Sequence, residues 1–376
     1  MRPRPKRCLA VVLGGTAAVA FAGFLATCTA PKSFRAVKQP HEGEAIGGRV
    51  AVVFSEHYTI NLPGVQWFHP FDTRKYGKIY VRLNTEGLIR PETVFVPDEP
   101  GRDDLRLVHS DRYLATLTSP KAVARYLEAK PVKVLPAKVV DAGILRAHRY
   151  ATGGTILAGR LALEHGVAIN LGGGFHHAGP GTGEGFCVYN DLAIAIRRLQ
   201  ADGLIRRALV VDLDVHQGNG TAECFAGDGD VFTFSMHQGN IYPIPKATSD
   251  LDVELEAGTD DARFLSILHE HLPEVFDRAK PEIVFYQAGC DTLHDDPLAG
   301  LVMTQAGIIE RDAAVADACF RRRMPLVMTL GGGYTARSWA VQAASIQNLI
   351  RTYGLEGREP PHPQRNRSVR EKLHVK

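Results

Sequence analysis

Three short polar segments each follow an apolar run, and this pattern limits the folds that the chain can adopt. The segments are GFHH at 174–177, DLDVHQGNG at 212–220 and GCD at 289–291. A short, wholly apolar run is typical of a strand that is buried on both faces of a parallel sheet. The carboxyl ends of parallel strands meet at one edge of the sheet, where ligands bind. We therefore expect the three segments to converge on one pocket.

Apolar runs alternate with helical patterns along the rest of the chain. The runs predict strands at 50–54, 167–171, 208–214, 231–234, 283–286 and 326–330. Apolar residues at three- and four-residue spacing predict helices at 156–165, 191–200, 264–279, 304–323 and 340–353. Such alternation predicts an α/β fold: a single large domain with a mainly parallel wound sheet flanked by helices.

The first 28 residues differ in kind from the domain that follows. Basic residues precede an uncharged apolar stretch at 8–28, which is typical of an export signal. LATC at 25–28 resembles a bacterial lipoprotein cleavage box with Cys28 as the lipidated residue, although Thr27 departs from the usual Gly, Ala or Ser. An uncleaved anchor is the main alternative, because about 20 residues can span a bilayer, and a buried apolar helix is a third. Both leading interpretations predict membrane association or export, with the lipoprotein facing the periplasm or the exterior.

Composition sets the other domain boundaries. Residues 1–28 are predicted to be a signal peptide or membrane anchor, 29–48 a linker, 49–355 the catalytic domain and 356–376 a disordered basic tail. Hydrophobic residues make up 45% of the 376 residues, enough for one large core. The formal net charge is only +3 and the basic residues are scattered, so no nucleic-acid partner is expected.

The 212–220 segment predicts a metal site. Asp212, Asp214 and His216 occupy alternate positions, so on a strand their side chains would share one side. Carboxylates and an imidazole suit a divalent cation such as zinc. Asp214, His216 and Asp291 are therefore the predicted ligands of one Zn²⁺. In isolation Asp-x-Asp-x-His could equally be a turn with an N-cap, but the other two segments favour the metal site.

The same residue types predict amide hydrolysis. A metal-activated water needs proton transfers, which the adjacent His176 and His177 can provide near neutral pH. Asp212 is expected to accept a hydrogen bond from His176 and to fix its tautomer. Tyr334 follows three glycines and is the predicted donor to the oxygen that becomes negative.

In this order and spacing the motifs resemble the zinc-dependent histone deacetylases of the arginase/deacetylase superfamily. The resemblance runs from about residue 49 to 354 and rests on GGGFHH at 172–177, the 212–220 segment and GGGY at 331–334. It is closest to the class IV branch, on the evidence of LPGVQWFHPFD at 62–72, TGGTILAG at 152–159 and HQGNGT at 216–221. The resemblance implies a deacylase that removes acetyl or longer fatty acyl groups from lysine side chains of a peptide or protein.

The resemblance also implies individual roles. His177 would be the main general base and acid. Most branches carry an aspartate at the position of Asn219, whereas class IV sequences resemble this chain, so we interpret Asn219 as a working partner of His177. An aspartate there is expected to retain activity with a shifted pH profile. The family often holds a structural K⁺, to which Ser235 could contribute an oxygen.

A substrate pocket is predicted beside the histidines. The resemblance implies that Phe186 lines an acyl-lysine tunnel, and we add Gly185 and Tyr242 to the same pocket. Simple packing is the alternative for Phe186 and Tyr242.

Other activities stay open. Deacetylation of small molecules such as acetylpolyamines is the alternative to lysine deacylation, since an exported enzyme need not meet histones. A two-manganese ureohydrolase would need further carboxylates where Gly218 and Gly289 stand. A binding protein without turnover would not need the complete set of ligands, histidines and tyrosine. A nucleophilic Cys187 or Cys290 is disfavoured because the predicted ligand set already supplies a nucleophile.

Overall fold

A parallel sheet forms the centre of the fold, with all of its paired strands running in the same direction. The computed structural model describes residues 50–62 and 69–354. Within them the strands are β1 Ala51–Val53, β2 Val94–Phe95, β3 Val167–Asn170, β4 Ala208–Asp212, β5 Val231–Gln238, β6 Leu251–Leu255, β7 Ile283–Gln287 and β8 Leu326–Thr329. The order across the sheet is β2-β1-β3-β8-β7-β4-β5-β6. The predicted single α/β domain with a parallel wound sheet is confirmed.

The helices lie between the strands in sequence, except the last, which follows β8. They are α1 Arg74–Thr85, α2 Arg102–Arg106, α3 Asp111–Thr116, α4 Pro120–Tyr126, α5 Ala137–Val140, α6 Arg146–His165, α7 Asp191–Ala201, α8 Asn219–Cys224, α9 Asp261–Ala279, α10 Gln305–Arg321 and α11 Ser338–Leu349. Polar N-caps define several starts: Asp260 accepts a hydrogen bond from the Arg263 amide, and Thr304 from the Gly307 amide. The predicted helix at 156–165 covers only the second half of α6. Each of the other four predicted helices corresponds to an observed one.

Each face of the sheet carries an apolar core. Successive residues of β4 alternate between them: Leu209 and Val211 pack into one core, whereas Ala208 and Val210 pack into the other. Burial of each valine or leucine side chain stabilises the fold by about 1.5–3 kcal/mol. Because both faces are covered, the central strands are mainly apolar and form a fixed base for the loops at their carboxyl ends.

Residues 1–49, 63–68 and 355–376 lie outside the described ranges. The predictions for the signal or anchor segment (1–28), the linker (29–48) and the basic tail (356–376) fall there and stay predictions. Among the helices that the structure describes, none is both long and apolar enough to cross a bilayer.

Candidate active site

Four adjacent strands deliver the predicted site residues to one edge of the sheet. The strands β3, β8, β7 and β4 are neighbours, and His176, Tyr334, Asp291 and Asp214 follow them in that order. The polar segments therefore converge, as expected from a parallel sheet.

The three predicted metal ligands form a buried cluster. The donor atoms of Asp214, His216 and Asp291 all lie within 4.8 Å of one another. His216 Nδ1 is 3.2 Å from Asp214 Oδ1 and 3.2 Å from Asp291 Oδ2. Two carboxylates and one imidazole at this spacing could hold one divalent cation.

The charges of this cluster also fit a cation. Burial raises the pKa of Asp291, as does the nearby Asp214, to about 6. Burial lowers the pKa of His216, but Asp214 and Asp291 outweigh it and raise the pKa to about 10. A positive charge is thus favoured between the two carboxylates, and a metal ion would supply it in place of the proton.

Consecutive turns, and not a strand, position the ligands. β4 ends at Asp212, so the predicted strand at 208–214 is two residues too long, and the alternation of side chains stops there. The Asp214 amide donates to Asp212 Oδ1 at 3.1 Å, and the His216 amide donates to Asp214 Oδ1 at 3.1 Å. Aspartates that bond to the backbone two residues on form such turns. The turn and the candidate metal site, weighed as alternatives in the sequence, thus occupy the same residues.

Backbone donors hold both carboxylates from outside the cluster. The Val215 amide donates to Asp291 Oδ1 at 2.9 Å, and the Gly332 amide donates to Asp214 Oδ2 at 2.9 Å. Hydrogen bonds of this kind orient metal ligands.

The two histidines lie beside this cluster in unlike environments. His176 Nδ1 is 2.7 Å from Asp212 Oδ2, and His177 Nδ1 is 2.7 Å from Asn219 Oδ1. Burial lowers the pKa of His176, but Asp212 and Asp214 outweigh it and raise the pKa to about 9. Burial, with the nearby His176 and His216, lowers the pKa of His177 well below its usual range. His177 is therefore the one of the pair suited to accept a proton.

The loop that carries the histidines is held by Asp191 at the start of α7. Its carboxylate accepts hydrogen bonds from the amides of Gly174 at 3.0 Å and Phe175 at 2.7 Å. Gly174 has φ 82°, and a Cβ there would lie 2.2 Å from Gln287 Oε1. Only glycine fits this position.

Tyr334 faces the same pocket. Its ring lies 6.2 Å from the His216 ring and 5.9 Å from the Phe186 ring, measured between centroids. Burial raises the pKa of Tyr334 well above its usual value, as do Asp291 and Asp214. The phenol therefore keeps its proton and can donate it in a hydrogen bond.

The predicted pocket residues lie at the mouth. Gly185 (φ 52°) and Phe186 (φ 68°) form a tight turn that the Cys187 amide closes on Glu184 O at 2.8 Å. A Cβ at Gly185 would lie 2.5 Å from His177 Cδ2. Tyr242 packs edge-on against His177, with ring centroids 4.9 Å apart.

Two buried cations near the site were missed in the sequence. Lys75 Nζ donates to the carbonyls of Gly331 at 2.7 Å and Gly332 at 3.3 Å. Arg311 Nη1 donates to the carbonyls of Gly289 at 2.7 Å and Leu213 at 3.2 Å. Both lie on the buried stripe of an amphipathic helix, and a charge on such a stripe is the signal that could have revealed them.

Ser235 lies opposite Asp212 on β5, and its hydroxyl is 2.9 Å from His237 Nδ1. The structural K⁺ stays a prediction.

Comparison with known proteins identifies the family. Residues 69–350 match the family described as "Histone deacetylase domain". The chain belongs to the histone deacetylase family. It is accordingly a hydrolase of that family, whose members are typically zinc-dependent. The assignment to the class IV branch stays a prediction.

Relatives of this histone deacetylase family member occur in bacteria and plants. It is 44% identical over 309 residues to an uncharacterized protein of Picosynechococcus sp. (81% of this chain, 96% of that protein). It is 38% identical over 306 residues to Histone deacetylase 2 of Arabidopsis thaliana (81% and 79%). The acetoin utilization protein AcuC of Staphylococcus aureus is 30% identical over 300 residues (72% and 75%). The fold resembles the crystal structure of the HDA15 HD domain with a TM-score of 0.66 at 23% identity (87% of this chain, 95% of that chain).

Proposed function

We propose that this histone deacetylase family member is a zinc-dependent amidohydrolase that removes acetyl or longer fatty acyl groups from lysine side chains. The convergence of three kinds of group in one pocket carries the proposal. These are a buried ligand triad, a histidine pair with opposite pKa shifts, and a protonated tyrosine. Amide hydrolysis needs all three: an electrophile, a base and an oxyanion donor.

The chain's own residues divide the work. Bound by Asp214, His216 and Asp291, Zn²⁺ would lower the pKa of a water molecule and polarise the substrate carbonyl. His177 accepts a proton at Nε2, because its Nδ1 faces Asn219, and later returns that proton to the leaving amine. His176, held protonated by Asp212, contributes a positive charge beside it. Tyr334 donates its hydrogen bond to the oxygen that becomes negative.

Aromatic side chains at the mouth suit an aliphatic substrate. Phe186 lies between His69, at 4.6 Å, and Tyr334, at 5.9 Å, measured between ring centroids. Tyr242 completes the wall beside His177. Apolar walls of this kind would bury the methylene stem of an acyl-lysine and exclude water from the reacting amide.

A substrate panel tests the proposal. The full chain, loaded with zinc, is assayed on matched lysine peptides that carry acetyl, octanoyl or myristoyl groups. Hydrolysis of these peptides is the expected result, and a preference for the long acyl groups would support the class IV assignment. No hydrolysis of any acyl-lysine peptide would contradict the proposed function.

Small-molecule deacetylation is the second candidate. The relative AcuC is named for the utilization of acetoin, which is a small molecule. An acetylpolyamine belongs in the same panel for this reason. A kcat/KM for acetylpolyamine above that of every peptide would move the assignment to small molecules.

A further inference from the structure

The carboxylate of Glu184 contacts the amide of Asn219 on the side away from His177. Asn219 Nδ2 donates a hydrogen bond to Glu184 Oε1. On the other side, Asn219 Oδ1 lies 2.7 Å from His177 Nδ1. Glu184 is therefore the outer member of a row that passes through Asn219 to the base.

The backbone around Asn219 is fixed. Asn219 is the first residue of α8, and the Thr221 amide donates to His176 O at 3.0 Å. A Cβ at Gly220 would lie 2.4 Å from the backbone carbon of His177, so the two segments are in close contact. The side-chain amide of Asn219 can still rotate by 180° about its Cβ–Cγ bond. This rotation would place its nitrogen where its oxygen was, and its oxygen where its nitrogen was.

The contact with Glu184 decides between these two orientations. A carboxylate only accepts hydrogen bonds, so the amide nitrogen must face Glu184 and the oxygen must face His177. The oxygen accepts the Nδ1 proton of His177 and leaves the lone pair on Nε2. After a half-turn the NH₂ group would face Nδ1, and the ring proton would move to Nε2, where it would block the base.

Glu184 is itself held in place. The Cys187 amide closes the turn of Gly185 and Phe186 onto Glu184 O at 2.8 Å. The Tyr242 hydroxyl donates a hydrogen bond to the Glu184 carboxylate and would lie 3.0 Å from a Cβ at Gly185 in the same turn. These contacts fix the position of the Glu184 carboxylate, unlike that of a mobile surface side chain.

We propose that Glu184 is a positioning residue that selects the tautomer of His177 by fixing the orientation of the Asn219 amide. The inference rests on the proposed function, in which His177 is the base. The requirement for Glu184 comes from the amide at position 219, because an aspartate would present an oxygen to His177 in either orientation.

A double-mutant cycle on the zinc-loaded full chain tests the proposal. Glu184→Leu is expected to lower kcat by about 10- to 100-fold with KM changed less than twofold. Glu184→Gln is expected to fall between the wild type and Glu184→Leu, since its amide can accept from Asn219 in one orientation and donate to it in the other. In the Asn219→Asp background, Glu184→Leu is expected to cost nothing and to relieve the contact between two carboxylates.

The control is Glu223→Gln, which removes the charge of a neighbouring exposed carboxylate on α8 and is expected to leave kcat unchanged. A loss equal to that of Glu184→Leu in Glu223→Gln, or on Glu184→Leu in the Asn219→Asp background, would overturn the proposal.

A second measurement does not depend on turnover. The ¹⁵N resonances of His177, assigned by comparison with His177→Ala, report which ring nitrogen carries the proton. We expect Nδ1–H in the wild type and a mixture of tautomers in Glu184→Leu. An unchanged tautomer in Glu184→Leu would overturn the inference, whether or not the chain hydrolyses acyl-lysine. Absence of hydrolysis beside the expected tautomer shift would instead contradict only the proposed function.

Discussion

At the scale of single residues, the difference between two adjacent histidines matters most. His176 Nδ1 lies 2.7 Å from a carboxylate oxygen, and His177 Nδ1 lies 2.7 Å from an amide oxygen. The pKa of His176 is raised, whereas the pKa of His177 is lowered. The sequence predicted Asp212 as the partner of His176 from the alternation of polar residues after a buried strand, whereas the resemblance implied Asn219 as the partner of His177. It did not show Glu184, whose contact depends on a turn at Gly185 and Phe186 with positive φ.

His177→Ala is expected to lower kcat by about 10²- to 10⁴-fold, because it removes the neutral histidine that lies beside the ligand cluster. Zinc affinity and thermal stability should stay close to those of the wild type. The measurement is kcat on the best acyl-lysine peptide. His294→Ala, which changes an exposed histidine, is the control. Full activity in His177→Ala would contradict the assigned role.

At the scale of elements, the buried strands and the existence of five helices were predictable, and short or half-exposed elements were not. β2 has only two residues, and β6 alternates polar and apolar residues at the sheet edge, so neither gave an apolar run. The short helices α2 and α3 were missed because five or six residues are too few for a periodic pattern. Loop contacts that fix the site, such as Asp191 with the Gly174 amide, depend on tertiary packing that spacing does not encode.

Arg311 on α10 is a test of how an element supports the site. It is fully buried, forms an ion pair with Asp312 at 2.8 Å and donates to carbonyls next to both ligand segments. Arg311→Leu is expected to lower the free energy of unfolding by about 3 kcal/mol, because it leaves the Asp312 carboxylate buried without its cation. Urea unfolding measures this loss. The double variant Arg311→Leu, Asp312→Leu should recover part of it, and a single variant as stable as the wild type would contradict the argument.

His109 links the histidine loop to α7. Its Nδ1 donates to Gly179 O at 3.0 Å, and its Nε2 accepts from the Asn190 amide at 3.0 Å, so the neutral ring is fully bonded. Burial lowers the pKa of His109 from 6.5 to about 4. As the pH falls through 6.5, His109 is therefore protonated in the unfolded chain but stays neutral in the folded chain. This contribution to stability is complete above pH 6.5 and is lost as the pH falls towards 4, by about 3 kcal/mol.

The stability of His109→Gln is therefore expected to depend less on pH between 6.5 and 4 than that of the wild type. Urea midpoints across this range provide the measurement. His269→Gln, at an exposed position, should keep the wild-type slope. An unchanged slope in His109→Gln would show that this histidine does not carry the dependence.

At the scale of the whole molecule, the α/β architecture and the meeting of four strand ends could be predicted from the order of apolar runs. The order of the apolar runs predicts that β3, β4, β7 and β8 belong to one sheet. It does not predict that these four strands are neighbours in that sheet. That adjacency depends on how the helices pack on both faces, which the sequence pattern leaves open.

The predicted signal or anchor segment at 1–28 determines whether the whole chain is attached to a membrane by a lipid. If Cys28 is lipidated, the full chain expressed in a bacterium should incorporate an alkyne-tagged fatty acid, and Cys28→Ser should not. Cys224→Ser, a cysteine within the domain, is the control. A wild-type chain that stays unlabelled would contradict lipidation and favour the uncleaved anchor.

The most direct test of the proposed chemistry is a zinc titration of chelator-treated full chain, with bound metal and acyl-lysine hydrolysis measured on the same samples. We expect one Zn²⁺ per chain, activity that rises in proportion to it, and a higher melting temperature on binding. Asp291→Asn should lose both tight binding and recovery. Full hydrolysis by the metal-free chain, or by Asp291→Asn without bound zinc, would contradict a metal-dependent active site at Asp214, His216 and Asp291.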